Sequence, residues 1–140
     1  ASTPNGTLEV INPNKEIDPP IISDLTIEPT SVDVTNNSVT VNISYRGVDA
    51  TGIIDGNVGY DGNYVGSNFA RITHKTVNYS LIDAVMFNLT SGTHQDGIWT
   101  AVATIPQNSL PGDYWISIIN PTDRNGIKAA STPNGTLEVK

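Results

Sequence analysis

Asp55-Gly-Asn57 and Asp61-Gly-Asn63 are the stretches of this 140-residue sequence best suited to chemistry. Each sets two side-chain oxygens on a tight turn, and the two triplets start six residues apart. Calcium takes about six to eight oxygens from carboxylates, amide carbonyls and backbone. Asp55, Asn57, Asp61 and Asn63 are therefore candidate ligands, with calcium as the candidate cofactor. A second set is Asp123 and Asn125, and Glu9, Glu16 and Asp18 could serve an ion between domains. None of these matches the Asp-x-Asp-x-Asp-Gly spacing of an EF-hand loop. Asp-Gly and Asn-Gly are also common hairpin-turn chemistry, so plain turns are the competing reading.

Aromatic residues in the same region offer different chemistry. Tyr60, Tyr64, Phe69 and Tyr79 stand among Asn and Asp side chains, the mixture that can hold the face of a sugar ring. The competing reading is that they cover one end of a folded core. Catalysis finds less support. His74 and His94 lie in an irregular strand and a loop, and the chain has no Gly-x-Ser-x-Gly, no His-x-x-x-His and no phosphate loop. We therefore expect no enzyme activity. A Lys–Asn or Lys–Asp crosslink would need a core Lys, and Lys15, Lys75, Lys128 and Lys140 avoid clearly apolar runs. Asn-x-Ser/Thr sequons occur at Asn5, Asn36, Asn42, Asn78, Asn88 and Asn134, as an Asn- and Thr-rich composition produces.

Charge narrows the partners. Seven Lys plus Arg against 14 Asp plus Glu give a net charge of −7, which leaves no basic patch for a phosphate backbone. We expect no nucleic-acid partner. No apolar run reaches the roughly 18 residues of a membrane-spanning helix, so no membrane insertion is expected. Cysteine is absent, which removes disulfide and thiol chemistry. Only 15% of residues are charged, and Asn, Thr, Ser and Gly supply the polar surface.

The elements that must position these residues are strands. Ser38–Arg46 alternates most cleanly, with Val39, Val41, Ile43 and Tyr45 on one face and Thr40, Asn42, Ser44 and Arg46 on the other. Ile98–Ile105 presents Trp99, Ala101, Ala103 and Ile105 on one apolar face. Asp113–Asn120 does the same with Tyr114, Ile116 and Ile118. Ile21–Glu28 and Val32–Val34 flank Pro29, which marks an edge or a switch between strands. Ala84–Thr90 points Val85, Phe87 and Leu89 inward. Phe69–Tyr79 alternates poorly and reads as an exposed or edge strand. A short strand is expected around Ile53–Tyr60, and the chain closes with Ile127–Ala130 and Leu137–Val139. Turn signals about every ten residues, with seven to nine short strands and no amphipathic helix, predict an all-β antiparallel sandwich. Pro111-Gly-Asp-Tyr114 before a strand suits a tyrosine corner; otherwise Tyr114 is a core aromatic with a wet tip. Trp99 is expected in the core and Trp115 partly exposed.

Ten residues occur twice. Ala1–Val10 reappears letter for letter as Ala130–Val139, an offset of 129 residues and about the size of one domain. A tandem array with a period near 129 explains this most simply. Residues 1–10 then form the tail strand of a preceding repeat, 11–20 a Pro-rich linker and 21–140 the sandwich. The first copy, having lost its own sandwich, is expected to be disordered or to pair with the edge of a neighbouring molecule.

The second half also carries a signature. Ser91-Gly-Thr, Asp96-Gly-Ile-Trp-Thr-Ala101, Ile105-Pro106, Leu110-Pro-Gly-Asp-Tyr114 and Thr122-Asp-Arg-Asn-Gly126 follow one another. This resembles the immunoglobulin-like repeats of large bacterial surface proteins, over roughly residues 21–139. Residues 47–80 depart from the pattern, being longer and richer in Gly and Asn. The resemblance implies an immunoglobulin-like sandwich outside the cell, at the cell surface, within a tandem-repeat adhesin. Its partners would be neighbouring repeats of the same chain. The implied role is a spacer that projects a distal binding domain. The alternative is an adhesive module binding a surface glycan or protein through 47–80.

Overall fold

The computed structural model describes residues 18–55 and 67–140. Nine strands run through them: β1 (Ile21–Glu28), β2 (Ser31–Val32), β3 (Val39–Val48), β4 (Phe69–His74), β5 (Ser80–Met86), β6 (Asn88–Gly92), β7 (Asp96–Ile105), β8 (Gly112–Ile119) and β9 (Asn134–Val139). They form two sheets, one ordered β1-β3-β7-β6 and the other β2-β9-β8-β4-β5. All pairings are antiparallel except β2 with β9. The fold is an all-β sandwich, as the alternation predicts. No described residue lies in a helix, so none of the described chain is a helix long and apolar enough to cross a membrane.

Alternation builds the core directly. Strands β3 and β7 stay in register from Val39↔Ile105 to Val48↔Asp96. Side chains alternate across a strand, so one face of this central pair carries Val41, Ile43 and Tyr45 beside Trp99, Ala101, Ala103 and Ile105. Against it the second sheet sets Ala70, Ile72, Tyr114, Ile116, Leu137 and Val139, all buried. Each large apolar side chain buried this way contributes about 1.5–3 kcal/mol. Trp99 is fully buried and Trp115 is 43% exposed, with the Lys75 ammonium 4.1 Å from its ring centroid. The ring of Tyr45 meets that of Phe87 edge-on, with centroids 4.8 Å apart.

Pro29 stands where the chain changes sheets. The Glu28–Pro29 peptide is cis, β1 ends in the first sheet and β2 begins in the second. The Tyr114 hydroxyl donates to the Leu110 carbonyl at 2.6 Å, four residues upstream, so the tyrosine corner forms.

Three expectations need correction. Phe69–Tyr79 is not an edge strand: β4 covers its first six residues and lies between β8 and β5. Ala70 and Ile72 point into the core while Arg71 faces solvent on the outer side of the sheet. Ala84–Thr90 is not one strand. Phe87, fully buried, separates β5 in one sheet from β6 in the other. The inward series Val85, Phe87, Leu89 runs across the switch because both sheets face the same core. Near the end of the chain, 127–130 contributes only an isolated bridge, Thr122↔Lys128. Of the strand expected at 53–60, Ile53 makes an isolated bridge to Asp123 and 56–60 lie outside the described residues. The first copy of the duplicated segment also lies outside them.

Candidate functional site

One end of the sandwich gathers most of the buried polar groups. The segment after β3, the turn before β7 and the turn after β8 meet there. Gly47, near the end of β3, has no side chain where Ile53 folds back, and a Cβ there would collide with Ile53 Cδ1. Ile53 is thus fully buried although it belongs to a connection. Its N–H donates to the His94 carbonyl at 2.9 Å, and the Ile54 N–H to the Thr122 carbonyl at 2.9 Å. Gly52, at φ +99°, takes a left-handed conformation that suits glycine. Its carbonyl accepts from the Arg124 N–H at 3.0 Å.

Two carboxylates organise this end. Asp49 is 4% exposed; its Oδ2 accepts from the Thr51 N–H at 3.1 Å, the Thr51 hydroxyl at 2.8 Å and the Gly52 N–H at 3.1 Å. Asp123 is fully buried; its Oδ1 accepts from the Asn125 and Ile127 N–H groups at 2.8 and 2.9 Å. These are Asx-type turns, in which a short carboxylate closes its own backbone. The second oxygen of each, Asp49 Oδ1 and Asp123 Oδ2, is buried with no hydrogen-bond donor. Burial pushes the Asp49 carboxyl above the usual carboxylate range. The hydrogen bond from Thr51 opposes that rise and the negative charge of Asp123 adds to it. At the edge of the site Arg46 holds Asp96 through two hydrogen bonds of 3.0 and 2.9 Å. That pairing draws the Asp96 carboxyl below its ordinary range.

A neutral polar junction lies beside the carboxylates. Asn68 is fully buried; its Oδ1 accepts from the Tyr45 hydroxyl at 2.5 Å and its Nδ2 donates to the Ile54 carbonyl at 3.1 Å. Burial holds the Tyr45 hydroxyl protonated well above the usual phenol range, so it remains a donor at any ordinary pH. The junction ties β3 of one sheet to the approach to β4 of the other. Asn68→Leu should strand the Tyr45 hydroxyl and the Ile54 carbonyl in the interior. We expect a loss of about 1–3 kcal/mol in urea unfolding. Tyr45→Phe in the same background should then cost less than it does in the parent, since its partner is already gone.

The residues singled out in the sequence fall as follows. Asp55 belongs to this end but is 67% exposed, 3.3 Å from His94 Nε2. Asn57, Asp61 and Asn63 lie outside the described residues, as do Tyr60 and Tyr64. Phe69 and Tyr79 stand at opposite ends of the β4–β5 hairpin, since Phe69 pairs with Met86 while Thr73 pairs with Ser80. Phe69 has the Arg71 guanidinium 5.9 Å from its ring centroid, and Tyr79 sits edge-on to Tyr114 at 6.4 Å. The two histidines are also far apart. His94 packs edge-on against Trp99 at 5.5 Å, in the turn before β7. His74 packs on Tyr114 at 4.9 Å, at the other end of the sandwich. Its Nδ1 accepts from the Thr76 and Val77 N–H groups, which leaves Nε2–H to donate to the Pro111 carbonyl at 3.1 Å.

Asn68 and Asp49 are the residues that sequence reasoning missed. A tyrosine on the buried face of a strand needs a partner for its hydroxyl, which signals that a partner must exist without saying which residue it is. Asp49 reads as an ordinary strand-end aspartate until the fold buries it. Compared with protein-family models, curated proteins and solved structures, the chain matches none of them.

Proposed function

We infer that the chain is one unit of a tandem array in a cell-surface adhesin, acting as a spacer that holds a distal binding domain away from the cell. The observation that carries this reading is the duplicated decapeptide. Its second copy supplies β9, which lies between β2 and β8 and buries Leu137 and Val139. A segment that completes one sandwich is expected to complete another when repeated 129 residues earlier. The first copy is then the last strand of a preceding unit. An immunoglobulin-like assignment draws support from the strand order. One sheet runs β1-β3-β7-β6 and the other continues β9-β8-β4-β5, the A-B-E-D and G-F-C-C′ orders of that fold. The tyrosine corner at the start of β8 supports it as well. Low charge density and a net charge of −7 suit a soluble rod whose units repel one another.

The second reading, an adhesive module working through 47–80, draws on one observation. The long connection between β3 and β4 emerges at the end shared with the turns before β7 and after β8. In variable-type immunoglobulin domains the loops at such an end form the binding surface. Small-angle scattering of one, two and three units in tandem separates the two. A spacer should lengthen by at least roughly 33 Å per unit, the span of its ten-residue strands. A compact particle would count against it, and micromolar capture of a glycan or protein by a single unit would favour the adhesive module.

A further inference from the structure

We propose that Asp49 Oδ1 and Asp123 Oδ2 are ligands of one calcium-class cation that clamps the segment after β3 to the turn after β8. This is independent of the spacer reading. It also differs from the exposed Asp55 turn, whose oxygens face His94 and solvent.

Two features bring the turns that carry these carboxylates together. Gly52 stands between the carboxylates: its N–H donates to Asp49 and its carbonyl accepts from Arg124, the residue after Asp123. Ile53 bridges directly to Asp123. The charge of Asp123 is close enough to act on Asp49. Each carboxylate already spends one oxygen on its own turn, so both are rigidly held with the second oxygen buried and undonated. Buried polar atoms are seldom left that way, least of all on carboxylates. Among the described residues no Lys, Arg or His pairs with either carboxylate. A cation supplies what is missing: positive charge, and an acceptor for lone pairs that no N–H reaches.

The donor set selects the ion. Among the described residues no three His, Asp or Glu side chains converge, so the two carboxylates would be the charged ligands there. The remaining positions would fall to backbone carbonyls and water. Such an irregular, all-oxygen shell suits calcium, which accepts variable geometry, better than magnesium, which demands a near-ideal octahedron. A cation bound there would join two connections on opposite sides of the sandwich end.

The test is thermal unfolding of the full chain in EDTA and in millimolar CaCl2. The parent should melt several degrees higher with calcium, as for any ligand held only by the folded state. Asp49→Asn and Asp123→Asn keep an acceptor oxygen for their turns but lose the charge. Each should fold in EDTA and lose the rise, while Asp55→Asn keeps it. Side-chain carboxyl 13C signals of the parent should move for Asp49 and Asp123 on adding CaCl2, a readout that needs no variant. The proposal is overturned by any of four results. These are no rise in the parent, an equal rise with MgCl2, a rise that survives both substitutions, or carboxyl signals that stay still.

Discussion

Replacing Trp99 by Ala should remove about 3–5 kcal/mol of stability. The indole is fully buried on β7, one of the two central strands of its sheet, in register with Tyr45 on one side and Leu89 on the other. It also carries the edge of His94 and so roots the turn before β7. Its neighbours along the strand on the same face are Gly97 and Ala101, too small to move into the space it would leave. A cavity between two sheets joined through many strands collapses poorly, which puts the cost at the upper part of the usual range. Domains hold only about 5–15 kcal/mol in total, so the variant should be partly unfolded at moderate temperature. Trp99→Phe provides the contrast. The indole N–H has no hydrogen-bond partner, so Phe deletes an unsatisfied donor while keeping an aromatic ring in the gap. It should cost less than half as much as Ala. Urea unfolding checks both, with an unchanged dependence on denaturant showing that the folded state is the same.

What the sequence disclosed depended on whether a local pattern determined the answer. Strands β3, β7 and β8 were legible because each has a wet face and a buried face, which imposes a period of two. Trp99 and Trp115 were separated correctly by that period alone. Strand β4 was not legible as an interior strand. Its inward residues are Ala70 and Ile72, while Arg71 and Thr73 interrupt them, and a polar outer face looks the same on an interior strand as on an edge. The switch at Phe87 was hidden for a related reason. Val85, Phe87 and Leu89 all address the core, and a period of two does not record which sheet hydrogen-bonds each residue.

The end of the sandwich was least legible. Asp123 is visible within a turn motif, but its burial and its bridge to Ile53 are long-range features that the motif does not encode. Asp49 shows no pattern at all, and no local signal records that one of its oxygens is buried without a donor. Asn68 has no sequence signal beyond the need of Tyr45 for a partner. The exposed Asp55, by contrast, stands out in the sequence through its Asp-Gly dipeptide, which describes a turn as well as a ligand.

The repeat itself makes the second large prediction, because the same leucine occurs in two identical peptides. Leu8 and Leu137 occupy the eighth position of each copy. Leu137 is 1% exposed on β9, opposite Tyr114, with β2 on its other side. Leu137→Ala should therefore cost about 2–5 kcal/mol. Local propensity is the same in both copies, so any difference between them must come from tertiary packing. If the first copy belongs to a preceding unit, Leu8→Ala should change stability by less than about 0.5 kcal/mol, like a substitution away from any core. The measurement is the urea midpoint of the two single variants beside the parent. A large fall for Leu137→Ala with none for Leu8→Ala is the predicted result. Equal falls, or a fall for Leu8→Ala alone, would contradict the account by showing that the first copy belongs to this sandwich.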